Sequence, residues 1–173
     1  AKLESRQFEI HRAPIELGSL IENVLEGATP MAERKGLRLV AEGLSEVPPI
    51  NADGDALEKI LVNLLGNALK FTDEGSVEIL VSADRNGDKD TYRLNVTVRD
   101  TGIGISPKAQ GDLFERFVQE DSSTTRKYGG SGLGLAISQG LVRLMKGEIG
   151  LISDGETGST FWFYVECGIG KHN

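Results

Sequence analysis

Residues 63–72 read Asn63-Leu-Leu-Gly-Asn67-Ala-Leu-Lys70-Phe71-Thr72. They close a longer pattern in which Leu57, Ile60, Leu61, Leu64 and Ala68 recur at helical spacing, which predicts an amphipathic helix with one face in a core. Its N-cap is Asp53 or Asp55. Asn63, Asn67 and Lys70 stand at i, i+4 and i+7, so at about 100° per residue they form a narrow polar stripe beside the apolar one. A solvated face is the plain reading of any one of them. Two asparagines one turn apart are nevertheless a poor choice for a helix that meets only water. A carboxamide oxygen is a hard donor suited to Mg²⁺, and the Lys70 ammonium is a point charge suited to a phosphate.

Further along, Leu94, Val96 and Val98 share one face of a strand, and strict alternation carries Asp100 onto the same inward face. A buried carboxylate needs a partner or it costs several kcal/mol, of the order of an unpaired buried polar group or more. The next residues, Thr101-Gly102-Ile103-Gly104-Ile105, bring no cation, only a turn through which backbone can approach a ligand. Asp100 is therefore a candidate acceptor for a ligand's amine, the plain alternative being a turn-capping aspartate. A third cluster, Gly129-Gly130-Ser131-Gly132-Leu133-Gly134, opens a helix. Its glycines allow close approach, and the unpaired amides of a helix N-terminus favour phosphate. Neither the P-loop spacing nor the dinucleotide fingerprint is present. The three clusters in this order suggest ATP held without a P-loop.

The remaining chain alternates strands and helices. Residues 8–12 read as a short strand, and Ile15, Leu17, Leu20, Ile21, Val24, Leu25, Ala28, Met31 and Ala32 as a helix face. Residues 37–40 suggest a strand, and residues 77–82 and 92–99 a pair of strands joined at the turn signal Arg85-Asn86-Gly87-Asp88. A third helix carries Leu133, Ile137, Leu141, Leu144 and Met145 on one face, and strands at 148–153 and 160–167 close the chain. Residues 106–128 hold a short helical piece around 107–114 and then a polar run at 119–127, a loop long enough to be a lid. The expectation is an α+β fold: a two-layer α/β sandwich with a mixed sheet packed under three helices and a long lid.

Composition limits the classes. A chain of 173 residues, 39% hydrophobic and 26% charged, fits one domain. Its net charge of −7 and pI near 4.9 argue against nucleic acid as a principal partner, which a basic surface would serve. The single cysteine, Cys167, excludes an internal disulfide framework and fits a reducing compartment. No apolar run reaches the roughly 18 residues of a membrane span, so no membrane contact is expected of this chain.

On these residues the chain resembles the ATP-binding catalytic domain of two-component sensor histidine kinases, part of a superfamily with DNA gyrase B and with heat-shock chaperone and mismatch-repair ATPases. Residues 63–72 resemble the N box, 100–104 the first glycine box, Phe114-Glu-Arg-Phe117 the F box, 130–134 the second glycine box, and Gly158-Ser-Thr160-Phe161 a final short motif. The resemblance covers residues 8–167, leaving 1–7 as the end of an upstream dimerisation helix and 168–173 as a tail. It implies that Asp100 binds the adenine amine, that Phe71 lines the adenine pocket, and that Asn67 ligates Mg²⁺. Asn63, Asn67 and Lys70 would then be the catalytic positions. Lys70, Arg126 and Lys127 would meet the phosphates. Gly102, Gly104, Ile105, Phe117, Gly130, Ser131, Gly132, Leu133, Gly134 and Thr160 would complete the nucleotide contacts.

The resemblance also bears on reaction class. Its hydrolysing members resemble one another in carrying a glutamate one turn before the Mg²⁺ asparagine, where a general base can activate water. That position here is Asn63, which takes no proton at neutral pH, so phosphoryl transfer is favoured over hydrolysis, while intact Asn67, Asp100 and the lid glycines speak against a non-catalytic nucleotide module. Of the two histidines, His11 lacks an acidic neighbour at the acceptor spacing and reads as a strand residue, and His172 lies at the terminus. The implied partners are ATP, the histidine-bearing dimerisation domain of a parent kinase, and a response-regulator receiver domain. A cytoplasmic location is expected.

Overall fold

The computed structural model describes residues 9–72, 74–87, 90–101, 131–153 and 159–170, with backbone only for Phe71, Ser153 and residues 131–135. The expected lid, the helical piece at 107–114 and the segment 1–7 lie outside the described residues.

Alternation places the sheet's inner face. In β4 (Ser76–Arg85), β5 (Thr91–Asp100) and β7 (Ser159–Ile169), every second residue is buried over 77–81, 94–100 and 159–167. Val77, Ile79, Leu94, Val96, Val98, Phe161, Phe163 and Val165 are the result, each at most 1% exposed. β4 and β5 form the hairpin expected from the Arg85–Asp88 turn signal: they pair from Val77↔Asp100 to Arg85↔Tyr92, and Gly87 takes φ +61° in the connection. β5 then pairs antiparallel with β7 over its full length. β2 (Arg38–Glu42) pairs parallel with β4, so the sheet is mixed.

The other side of β7 is shared. β6 (Glu148–Ser153) covers its first half, and β3 (Ile50–Ala52) meets Gly168 and Ile169. The last strand therefore runs two residues past the expected boundary at 167. β1 (Ala13–Ile15) adds to β3 as an edge strand, a place where Pro14 loses no interior ladder bond. The expected strand at 8–12 is thus displaced to 13–15. The reason is local: the His11 backbone N–H is taken by the Asp53 carboxylate at 2.8 Å, not by a strand. β3 itself is too short for periodicity to reveal.

Three helices lie on this face among the described residues: α1 (Leu17–Lys35), α2 (Gly54–Phe71) and α3 (Ser131–Leu144). Asp53 caps α2, its side chain accepting from Ala56 N at 3.1 Å, a contribution of about 1 kcal/mol. Leu57, Ile60, Leu61 and Leu64 are fully buried, with Leu65, Ala68 and Leu69 at most 2% exposed. Truncating one of these leucines to alanine would cost about 2–5 kcal/mol. The outer helices sit slightly rotated from the expected faces. Ser138, Leu141 and Val142 face the core from α3 and Met145 just past its end, while Leu144 is 38% exposed; on α1, Met31 is 39% exposed. α1 continues through Pro30, whose ring stands on an exposed position.

Candidate nucleotide site

The end of β5 is where the sheet presents chemistry. Asp100 continues the inward row of Leu94, Val96 and Val98 and is 2% exposed. Its direct cross-strand partner on β7 is Ser159, also 2% exposed, whose hydroxyl donates to Asp100 Oδ2. The aspartate side chain thus has a neutral donor on one oxygen. Thr160, the residue expected in the site, lies on the opposite face of β7, since the buried row is Ser159, Phe161, Phe163 and Val165. Ser159 was missed in the sequence, although counting back by twos from Phe161 finds it.

α2 supplies the polar stripe. Asn67 is 5% exposed, and its Nδ2 donates to the Asn63 carbonyl at 3.0 Å. That bond uses one of the amide's two donors on the helix, and the side-chain oxygen keeps its acceptor capacity. Asn63 Nδ2 donates to Ser138 Oγ of α3 at 3.0 Å, so the first asparagine of the stripe joins two helices. Ser138 is fully buried and was also missed. It shares the stripe of Leu141, Val142 and Met145, and a hydroxyl on such a stripe needs a polar partner. Lys70 is exposed at the last turn. Thr72, just past the helix, is fully buried, and its hydroxyl has no hydrogen-bond partner among the described residues.

Ser131, Gly132, Leu133 and Gly134 form the first turn of α3, so the third cluster does open a helix. Gly102, Gly104, Ile105, Phe117, Arg126, Lys127 and Gly130 lie outside the described residues, and so does the Phe71 side chain.

Two hollows flank α2. One, of about 670 Å³, is lined by Glu9, His11, Asp53, Lys59 and Leu141. It sits at the N-terminal end of α2, and from Asp53 to Asn67 is roughly 21 Å along a helix rising 1.5 Å per residue. The exposed His11 side chain, 3.7 Å from Glu9, is therefore far from the polar stripe. The other, about 430 Å³ between α2 and α3, is bordered by Asp55, Lys59, Val62, Asn63 and Ile137 and reaches the stripe at Asn63. No described helix is long and apolar enough to cross a membrane.

Known proteins share this arrangement. Residues 52–169 match the model of the histidine kinase-, DNA gyrase B- and HSP90-like ATPase family. The chain is 40% identical over 173 residues to hybrid signal transduction histidine kinase K of Dictyostelium discoideum, with 95% of this chain covered and 14% of that protein. It is 41% identical over 167 residues to the signal transduction histidine-protein kinase BarA of Escherichia coli K12, covering 95% of this chain and 18% of BarA. The chain thus spans less than a fifth of the curated relatives it matches. Among solved structures, full-length ShkA in complex with AMPPNP is similar at TM-score 0.78 and 36% identity, over 95% of this chain and 33% of ShkA. The catalytic domain of histidine kinase ThkA, nucleotide-free, shares the fold at TM-score 0.69 and 21% identity, over 90% of this chain and 95% of that one. With the fold, the inward aspartate and the asparagine-bearing helix in the matched span, the chain belongs to the histidine kinase-, DNA gyrase B- and HSP90-like ATPase family.

Proposed function

We propose that this chain is the ATP-binding catalytic domain of a sensor histidine kinase, transferring the γ-phosphoryl group of Mg-ATP to a histidine on a separate dimerisation domain. The carrying observation is the Asn63 side chain, which donates its N–H to Ser138 and offers no basic atom to activate water. Buried Asp100, with a neutral donor on Oδ2, is suited to accept from the adenine amine. The unmatched Thr72 hydroxyl is a further polar group that a ligand could satisfy.

The residues present also fit the metal. Among the described residues no three His, Cys, Asp or Glu side chains group as a metal site, and the carboxamide oxygen of buried Asn67 is a hard donor of the kind Mg²⁺ takes. Mg²⁺ accompanying phosphates needs few protein ligands, and when bound it would neutralise charge on the transferring group. Asn67 would hold it, with the Lys70 ammonium toward the phosphates. In the transfer, an imidazole nitrogen forms a bond to the γ-phosphorus, the bond to the bridging oxygen breaks, ADP leaves, and the imidazole gives up its proton. The chain's part is positioning and charge neutralisation, as is general for phosphoryl transfer. Partners on this reading are the histidine-bearing helices of the parent and a response-regulator receiver domain, all in the cytoplasm.

The test is radiolabelled ATP incubated with this chain, alone and with the dimeric histidine-bearing helices of its parent. The expected outcome is acid-labile, base-stable label on the helices and little turnover by the chain alone. Rapid ATP turnover without the helices would assign the chain to the hydrolysing branch, and labelling of His11 would relocate the acceptor into this chain.

A further inference from the structure

The C-terminal ends of α1 and α2 lie side by side, and a single side chain spans them. α1 stops at Gly36, which takes a left-handed φ of +71° and donates to the Ala32 and Glu33 carbonyls. Leu37 N closes the same cap on the Ala32 carbonyl at 2.8 Å, a glycine stop that satisfies the helix's own orphan carbonyls. The chain then enters β2, where Arg38 N donates to the Gly75 carbonyl at 3.1 Å and Arg38 pairs with Ser76. Those contacts bring Lys35 to the far end of α2. Its Nζ donates to the Leu69 carbonyl at 2.6 Å and lies 3.4 Å from the Lys70 carbonyl.

Among the described residues α2 shows no such stop: Thr72 leaves it in extended conformation, φ −110° and ψ 119°. The last carbonyls of α2 carry the negative end of the helix dipole. Two helix C-termini side by side bring two such ends together, and the Lys35 ammonium sits on them. The turn it holds is the one that carries Lys70 and Phe71, directly after Asn67.

We infer that Lys35 is a positioning residue for the nucleotide site, fixing the last turn of α2 from outside the helix. The inference rests on the reading of α2 as the nucleotide helix. In these two contacts Lys35 meets backbone carbonyls, and through them it bears on the placement of Asn67, Lys70 and Thr72.

The test compares Lys35→Met, which keeps the aliphatic stem, and Lys35→Arg, which restores a cation, with the parent chain. Affinity for a non-hydrolysable ATP analogue is measured well below every melting temperature, alongside amide exchange. Lys35→Met should bind about two- to fivefold more weakly, the scale of a cation at a helix C-terminus. It should lose exchange protection chiefly at residues 69–72, and Lys35→Arg should recover both. If Lys35→Met does not fold, Lys35→Gln takes its place. Unchanged affinity, or protection lost evenly across the chain, would overturn the positioning role. Asp100→Asn serves as the control for the site itself. Weaker binding there with no change in Lys35→Met would sink the Lys35 inference alone, and no change in either would remove the nucleotide-site reading along with it.

Discussion

Ser159 on β7 donates its hydroxyl to the Asp100 carboxylate on β5, its directly paired neighbour across the sheet. The pair is buried where β5 ends and β7 begins.

The first prediction concerns that pair. Asp100→Asn should weaken binding of an adenine nucleotide by about 1–3 kcal/mol, the range for a hydrogen bond to a charged group, and the domain should remain folded. Ser159→Ala removes one donor to the buried Asp100 carboxylate, so it should lower stability by about 1–3 kcal/mol. Calorimetric titration with an ATP analogue and thermal denaturation separate the two effects. Unchanged affinity in a folded Asp100→Asn variant would remove the adenine role from Asp100.

The second concerns Asn67. With its Nδ2 committed to the Asn63 carbonyl, the oxygen is the atom that would meet Mg²⁺. Asn67→Ala should therefore reduce the Mg²⁺-dependent part of ATP binding far more than metal-free binding of ADP. Parallel titrations with magnesium and with a chelator decide it. Equal losses in both would mean that Asn67 serves the helix or the base.

These two residues also show what a sequence can carry. Asp100 was legible because three apolar residues precede it at period two, and Asn67 because two asparagines in a well-formed helix break propensity. What escaped depends on contacts between elements distant in sequence. Ser138 matters because α3 packs on α2, and Lys35 because β2 and β4 pair in parallel and bring two helix ends together. β1 and β3 were blurred because three-residue strands owe their conformation to their partners. Leu144 and Met31 were assigned inward because spacing gives a helix its stripe but not its rotation against neighbours.

The third prediction concerns pH. Cys167 is fully buried at the inner face of β7, and burial raises its thiol from an ordinary 9.0 to about 12, lowered somewhat by Arg12 and raised by Glu166. The folded state therefore holds the proton more tightly than the unfolded one. Its contribution is complete below about pH 9 and is lost as pH rises from 9 toward 12. Cys167→Ala loses some packing at neutral pH but lacks this alkaline penalty. Its stability deficit relative to the parent, followed by urea denaturation, should narrow between pH 9 and pH 11, with both values inside the window set by the shift. A constant deficit would show that the thiol titrates normally. Alkylation of the folded parent at pH 8 should be slow, because the thiolate is the reactive form.

The fourth prediction tests reaction class through the bond between α2 and α3. Asn63 Nδ2 donates to Ser138 Oγ, which fixes the carboxamide that stands where the hydrolysing relatives carry a base. Ser138→Ala removes that acceptor. Nucleotide affinity should change little, while phosphoryl transfer to the histidine-bearing helices should fall by about tenfold, the effect of roughly 1.4 kcal/mol in the barrier. Asn63→Asp acts differently. The Ser138 hydroxyl can turn and donate to the new carboxylate, so the link survives with its polarity reversed, and the polar stripe gains an oxygen able to take a proton. Phosphate release by the isolated chain should therefore rise above the parent's, while transfer to histidine falls. Steady-state phosphate release and single-turnover transfer, read from the same preparations, separate the outcomes. If Ser138→Ala leaves transfer untouched, the bond serves only to pack two helices. If Asn63→Asp hydrolyses no faster than the parent, the missing carboxylate is not what turns this site from water to histidine.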